Sequence, residues 1–236
     1  MISDIRPRAV LFDLFETLVT EFADGRRRAR REFDYRSLLG LDNDTFRKEW
    51  NARFMRRMTG ELDYFAVIRE MLDARGLPWP EETARMLYEE RVREKRAVFS
   101  GIDPDIIRML ARLKGMGLRL CLVSNCSEEE VRGWDDCDLA PFFDEVVFSC
   151  EVAAAKPAPV IYRIALERIG ASPGQAVFVG DGGSRELEGA ARVGIRPLHA
   201  YWYNRTIPSD YPKMHHPKEV AEAVERMLKE EAHADE

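Results

Sequence analysis

Short apolar runs, each bounded by glycine or a polar residue, constrain the fold of this chain more than any other feature. Residues 8–12 read Arg-Ala-Val-Leu-Phe and stop at Asp13; residues 118–123 stop at Ser124; residues 145–148 stop just before Ser149; residues 176–179 stop at Gly180-Asp181; residues 195–200 follow Gly194. Continuous apolar runs of this kind suit strands buried on both faces, as in a parallel sheet. Helical stretches alternate with them. Asp103-Pro104 opens one, with Asp as cap and Pro at the first helical position. Ser127-Glu128-Glu129-Glu130 is a capping box. Residues 157–169 and 184–193 show helical periodicity and end at Gly170 and Gly194, and residues 218–230 form a last amphipathic helix. The alternation predicts an α/β fold, a parallel sheet flanked by helices.

Residues 20–98 break this rhythm. They contain no strand-like run and read as charged amphipathic helix, interrupted at Leu39-Gly40, Thr59-Gly60 and Gly76-Leu77-Pro78. The expected division is a core of residues 1–19 and 99–236, with residues 20–98 as a helical insert directly after the first strand.

Composition narrows the partners. A net charge of −6 gives no global attraction to nucleic acid or an anionic membrane. No apolar run approaches the ~20 residues a membrane span needs. Asp4 and Asp13 interrupt the N-terminal apolar stretch, so no signal peptide is read there and a cytoplasmic location is expected. Cys121, Cys126, Cys137 and Cys150 form no Cys-x-x-Cys pair and are expected as free thiols. The sequons at Asn43, Asn125 and Asn204 are then chance matches. The basic run of residues 26–31 reads as a solvated helix face paired with local acids in preference to an anion-steering patch. His215-His216 reads as ordinary surface, and Tyr201-Trp202-Tyr203 as packing over the sheet edge or a partner subunit. Monomer and homodimer both remain open.

In open α/β sheets, ligands bind beyond the carboxyl ends of the strands. Those ends carry Asp13, Ser124-Asn125, Lys156 a few residues past its strand, and Gly180-Asp181-Gly182-Gly183. One Asp at a strand end is more often a turn former or helix cap. Two carboxylates, a hydroxyl, an amide, a lysine and a glycine turn at successive strand ends can together hold a metal dication and a tetrahedral anion.

These residues also carry a family resemblance. Phe12-Asp13-Leu14-Phe15-Glu16-Thr17-Leu18 resembles the first motif of the haloacid dehalogenase superfamily. Leu122-Val123-Ser124-Asn125 resembles the second, Lys156-Pro157 with Tyr162 the third, and Val179-Gly180-Asp181-Gly182-Gly183-Ser184-Arg185-Glu186 the fourth, in the family's order. The resemblance implies a Rossmann-like core, with the helical insert as a C1-type cap. It implies that Asp13 is the nucleophile and carries a covalent intermediate. It implies Mg²⁺ held by Asp13, the Phe15 carbonyl and Asp181, with Glu186 binding through waters or orienting Asp181. Ser124 and the backbone around Asn125 would hydrogen-bond the transferring group, and Lys156 would neutralise its charge. From the insert, Arg53 or Arg57 could grip an anion of a small metabolite substrate. Trp50, Phe54, Met58 and Phe65 could wall that substrate, or form the cap's own core.

One position departs from the family's phosphatases, which carry a second Asp two residues after the nucleophile. Phe15 stands there and cannot transfer a proton, and losing general acid–base catalysis costs roughly 10²–10⁴-fold. Glu16 is adjacent, but strand geometry turns it to the opposite face. The family's metal-independent 2-haloacid dehalogenases have an aromatic residue at that place, and halide leaves without a proton. Asp181 and Glu186 argue the other way, toward a magnesium loop. Three outcomes follow from the sequence: a magnesium-dependent phosphatase, a dehalogenase-like C–X hydrolase, or a ligand-binding protein with little turnover.

Overall fold

The computed structural model describes residues 6–23, 26–28 and 32–232. Strand β1 (Ala9–Phe12) is buried throughout. The chain then turns at Leu14, whose carbonyl accepts the N–H groups of Leu18 at 2.9 Å and Val19 at 3.1 Å. A two-residue hairpin follows, β2 (Phe22–Ala23) antiparallel to β3 (Arg26–Arg27). It corrects the expectation that this region holds no strand and that the arginine run begins a helix. Strands of two residues are too short to write a period of two into the sequence. This hairpin is set by backbone pairing and by the Arg28 N–H donating to the Glu21 carbonyl at 2.8 Å. Residues 29–31 of the basic run lie outside the described residues.

Five helices come next: α1 (Tyr35–Leu39), α2 (Asn43–Ala52), α3 (Phe54–Met58), α4 (Tyr64–Asp73) and α5 (Glu81–Arg96). Asp42 caps α2 and Asp63 caps α4, each carboxylate accepting a backbone N–H of the first turn. The breaks fall where the sequence placed them, with Gly40, Gly60 and Gly76 all at positive φ. These helices bury their own apolar cluster, in which Leu39, Phe46, Val67, Ile68, Met71 and Leu87 meet.

The remaining elements alternate strand and helix: α6 (Pro104–Gly115), β4 (Arg119–Ser124), α7 (Glu128–Val131), β5 (Glu145–Phe148), α8 (Ser149–Val152), α9 (Pro159–Ile169), β6 (Ala176–Gly180), α10 (Glu186–Arg192), β7 (Arg196–Ala200), β8 (Lys213–Met214) and α11 (Pro217–Ala232). Helix α10 starts at Glu186, later than the expected 184, because Ser184 and Arg185 take positive φ of 53° and 55° in a tight turn. The six strands form one parallel sheet in the order β5-β4-β1-β6-β7-β8. Apolar clusters pack on both faces, one around Phe12, Leu110 and Val224, the other around Leu11, Tyr162 and Phe178. That two-sided burial is why the strands read as continuous apolar runs.

The order matters for the site. Strand β1 lies between β4 and β6, so the chain crosses to one side of it and later to the other. The carboxyl end of β1 is therefore a topological switch point, where crossovers diverge and leave a crevice. Asp13 is the first residue beyond that end. No helix among the described residues is long and apolar enough to cross a membrane.

Candidate active site

Asp13 leaves the sheet with its N–H still donated to the Val179 carbonyl of β6 at 2.9 Å, so the backbone fixes the direction of its side chain. The Thr17 hydroxyl donates to one carboxylate oxygen of Asp13 at 3.0 Å. The other oxygen accepts from the Lys156 ammonium, which also donates to Glu186 at 2.5 Å. All three are buried. Lys156 reaches this point because Asn125 clamps its backbone, donating to the Lys156 carbonyl at 2.9 Å and accepting the Lys156 N–H at 2.7 Å. The Asn125 side chain thus positions the lysine.

Asp181 sits in the turn after β6. Its carboxylate accepts the Gly183 N–H at 2.8 Å and the Asn204 amide N–H at 2.8 Å. Glu186 begins α10, and its second oxygen accepts the Gly182 N–H at 3.2 Å. Tyr162 on α9 donates to the Glu186 carbonyl at 2.7 Å. Gly180 is required here, since a Cβ on it would lie 2.1 Å from the Glu186 carboxylate. The result is a buried set of three acids whose oxygens lie within 4.8 Å of one another: Asp13, Asp181 and Glu186.

The charges of this cluster are unbalanced. Burial pushes the Asp13 carboxyl above its ordinary range, with Lys156 opposing and Asp181 adding to the rise. Burial and then Asp13 push Glu186 well upward, against Lys156. Burial disfavours the Lys156 ammonium, yet Asp13 and Glu186 outweigh it and hold that group charged. One lysine among three buried acids leaves negative charge uncompensated, the environment in which a divalent cation is favourable. The donors fit such an ion chemically: hard carboxylate oxygens, together with the Phe15 carbonyl, to which no backbone N–H among the described residues donates.

Ser124 ends β4 fully buried, and its hydroxyl has no hydrogen-bond partner among the described residues. A buried hydroxyl without a partner is costly, so an acceptor from outside the chain suits it. Phe15 is partly buried against the core, with the Lys95 ammonium 5.2 Å from its ring centroid. Glu16 does not replace the absent acid by its present contacts. Its carboxylate accepts from the Thr20 hydroxyl at 2.7 Å and the Glu21 N–H at 2.9 Å, tying down the turn that precedes the hairpin.

The two arginines expected at the substrate separate. Arg53 is held in ion pairs with Glu49 at 2.6 Å and Glu70 at 3.0 Å, within the helical segment. Arg57 is buried, stacks on Trp50 and borders a cavity. Trp50 and Phe54 border the same cavity, whereas Met58 is buried and Phe65 packs in the helical segment's own cluster.

Three contributors escaped the sequence reading. Asn204 donates to Asp181 from beyond β7. His199, buried in β7, donates from Nε2 to the Asp181 carbonyl at 2.9 Å, which leaves Nδ1 as the unprotonated nitrogen. Trp202 donates to the Thr17 carbonyl at 2.9 Å, so this aromatic run braces the turn after Asp13. The only signal for them was position, in or just past the last residues of β7.

Comparison with known proteins shows the family and the fold. A family model described as haloacid dehalogenase-like hydrolase matches residues 7–194. A phosphoserine phosphatase of Thermus thermophilus is 34% identical over 152 residues, covering 62% of this chain and 57% of that protein. This chain therefore spans little more than half of that relative. A glyceraldehyde 3-phosphate phosphatase of Methanopyrus kandleri is 28% identical over 196 residues, covering 80% of this chain and 81% of that protein. Among solved structures, a 2-haloacid dehalogenase from Pseudomonas syringae superposes with a TM-score of 0.64 at 18% identity, covering 93% of this chain and 99% of that one. At that identity the likeness is one of fold.

Proposed function

The chain belongs to the haloacid dehalogenase-like hydrolases, and from that premise we propose that it is a magnesium-dependent phosphatase of a small phosphorylated metabolite with Asp13 as nucleophile. The observation that carries the proposal is the buried cluster of Asp13, Asp181 and Glu186 around a single lysine. Asp13, Asp181 and the Phe15 carbonyl would hold Mg²⁺, with Glu186 supporting them. When bound, the ion supplies positive charge that lets an anionic nucleophile approach an anionic phosphoryl group.

The chain's own residues do the rest. The Asp13 carboxylate attacks phosphorus, the ester P–O bond breaks, and the alcohol oxygen leaves with its electron pair. Lys156 holds Asp13 in line and offsets charge on the phosphoryl oxygens. The Ser124 hydroxyl donates to one of those oxygens. Water then attacks phosphorus of the aspartyl phosphate, which frees inorganic phosphate and restores Asp13. Residues 20–98 act as a cap over the core of 1–19 and 99–236, excluding bulk water during the transfer. Phe15 supplies no proton to the leaving alcohol, so esters with acidic leaving groups are favoured.

Phe15 also supports a second reading, metal-independent dehalogenation, in which the leaving halide needs no proton. Against it stand Asp181 and Glu186, which would repel the carboxylate of a haloacid substrate. A panel of phosphoesters and 2-haloacids, each with Mg²⁺ or EDTA, separates the two. The proposal predicts phosphate release that EDTA abolishes and that Asp13→Asn lowers at least ~10³-fold. Halide release that persists in EDTA would replace it with the dehalogenase reading.

A further inference from the structure

A cavity of about 740 Å³ opens between the helical segment and the start of α7. Its wall includes Lys95, whose ammonium lies over the ring of Phe15, two residues after Asp13. The size suits a small organic ligand. One side is aromatic, formed by Phe46, Trp50 and Tyr64.

The cations around this cavity are nearly all matched. Arg27 pairs with Glu21, Arg47 with Asp44, Arg91 with Glu129 and Glu130, and Lys95 with Glu21 and Glu130. Arg57 is the exception. It is 4% exposed, and among the described residues its Nε and Nη1 have no hydrogen-bond partner and no carboxylate bonds to it. Its guanidinium carbon lies over the Trp50 ring, 4.1 Å from the centroid, with the Phe54 centroid at 5.8 Å. Arg91 approaches the same Trp50 ring at 5.1 Å. Burial, and then repulsion from Arg91, lower the Arg57 pKa to about 10, against the attraction of Glu130 and Glu129. A buried guanidinium beside a second one, with no carboxylate among the described residues hydrogen-bonded to it, is an unfavourable element in the free protein. The cation–π contact with Trp50 compensates in part.

We propose that Arg57 anchors a second anion subsite, which takes a carboxylate of the substrate remote from its reacting group, with the substrate's apolar body against Phe46, Trp50 and Tyr64. A guanidinium with unpartnered N–H groups suits a carboxylate, whose oxygens accept charge-assisted hydrogen bonds. One unmatched cation suits a monoanion better than a second phosphate dianion. The inference rests on the phosphatase proposal for the group at the other end of the substrate. It narrows the substrate class to carboxylate-bearing phosphoesters with an apolar or aromatic body.

The test compares phenyl phosphate with 3- and 4-carboxyphenyl phosphate, with Mg²⁺ present. Wild type is expected to favour at least one carboxylated ester on the order of 10- to 100-fold in kcat/KM, mainly through KM. Arg57→Gln collapses that ratio toward one, and Arg57→Lys restores part of it. A purely structural Arg57 would lower turnover of all three esters alike and leave the ratio unchanged, which would overturn the proposal. So would a wild type that prefers neither carboxylated ester. If none of the esters is hydrolysed, the phosphatase reading fails separately, and benzoate decides the subsite. Millimolar benzoate is expected to raise the Tm of wild type and not of Arg57→Gln, and no shift in wild type rules the subsite out. Should Arg57→Gln not fold, the benzoate shift of wild type and its reduction in Arg57→Lys decide the question.

Discussion

Lys156 is the residue on which the acidic cluster depends. Its ammonium bridges Asp13 and Glu186, and all three side chains are buried. Removing one partner from a buried ionic cluster leaves the others uncompensated, at a cost of roughly 3–5 kcal/mol. Lys156→Ala is therefore expected to lose about that much stability in urea denaturation without metal, and to recover part of it when Mg²⁺ is added. A variant as stable as wild type would mean that the acids are already neutral. Most of this cluster was legible in the sequence, because Asp13, Ser124 and Asp181 stand at the ends of apolar runs that suit buried strands, and Lys156 a few residues past another. Asn204 and His199 were not legible. Their side chains meet Asp181 through tertiary placement of β7, and nothing local in the sequence marks an Asn or a His for such a contact.

At the level of elements, the contact between α3 and α8 sets how the helical segment sits on the sheet. The Ser149 hydroxyl donates to the Met58 carbonyl at 2.5 Å and accepts the Cys126 N–H at 2.9 Å, linking both sides. Gly60 makes this approach possible, with a φ of 69° and a site where a Cβ would fall 2.1 Å from the Cys150 carbonyl oxygen. Backbone cannot yield there as a flexible side chain could. Gly60→Ala is expected to destabilise by about 1–3 kcal/mol through positive φ and the clash together. The change would be read as a lower urea midpoint with an unaltered slope. An unchanged midpoint would show that the two elements do not pack this closely in solution. The sequence placed the break at Gly60 but not its partner, since Cys150 is remote in the chain. The parallel strands were readable because both faces are buried, whereas β2, β3 and β8 are too short to carry a pattern.

Across the whole molecule, a buried ionic network ties α5 of the helical segment to α7 beside the sheet. Arg91 donates to Glu129 at 2.8 Å and to Glu130 at 2.7 Å, and Lys95 pairs with Glu130 at 2.9 Å and with Glu21. Burial opposes the charged form of Glu130, but Lys95 and Arg91 outweigh it and hold its carboxyl well below the usual range. The folded pKa thus lies below the unfolded value of about 4.5, and between the two the unfolded chain binds more protons. This stabilisation is present above that value and is lost as the pH falls through the interval toward the folded pKa. Calorimetric Tm is expected to drop on acidification, more steeply for wild type than for Glu130→Gln, which should already melt lower at neutral pH. Equal slopes would remove Glu130 from the account. Lys95 of this network lies over the ring of Phe15, two residues after Asp13, and closure of the cap and attack by Asp13 are parts of one proposed cycle. The most direct measurement of that cycle is peptide mapping by mass spectrometry after rapid acid quench of the enzyme turning over a phosphoester with Mg²⁺. The account predicts a phosphorylated peptide containing Asp13, absent when EDTA is added first. Turnover with no phosphate on Asp13, or with turnover undiminished in EDTA, would contradict it.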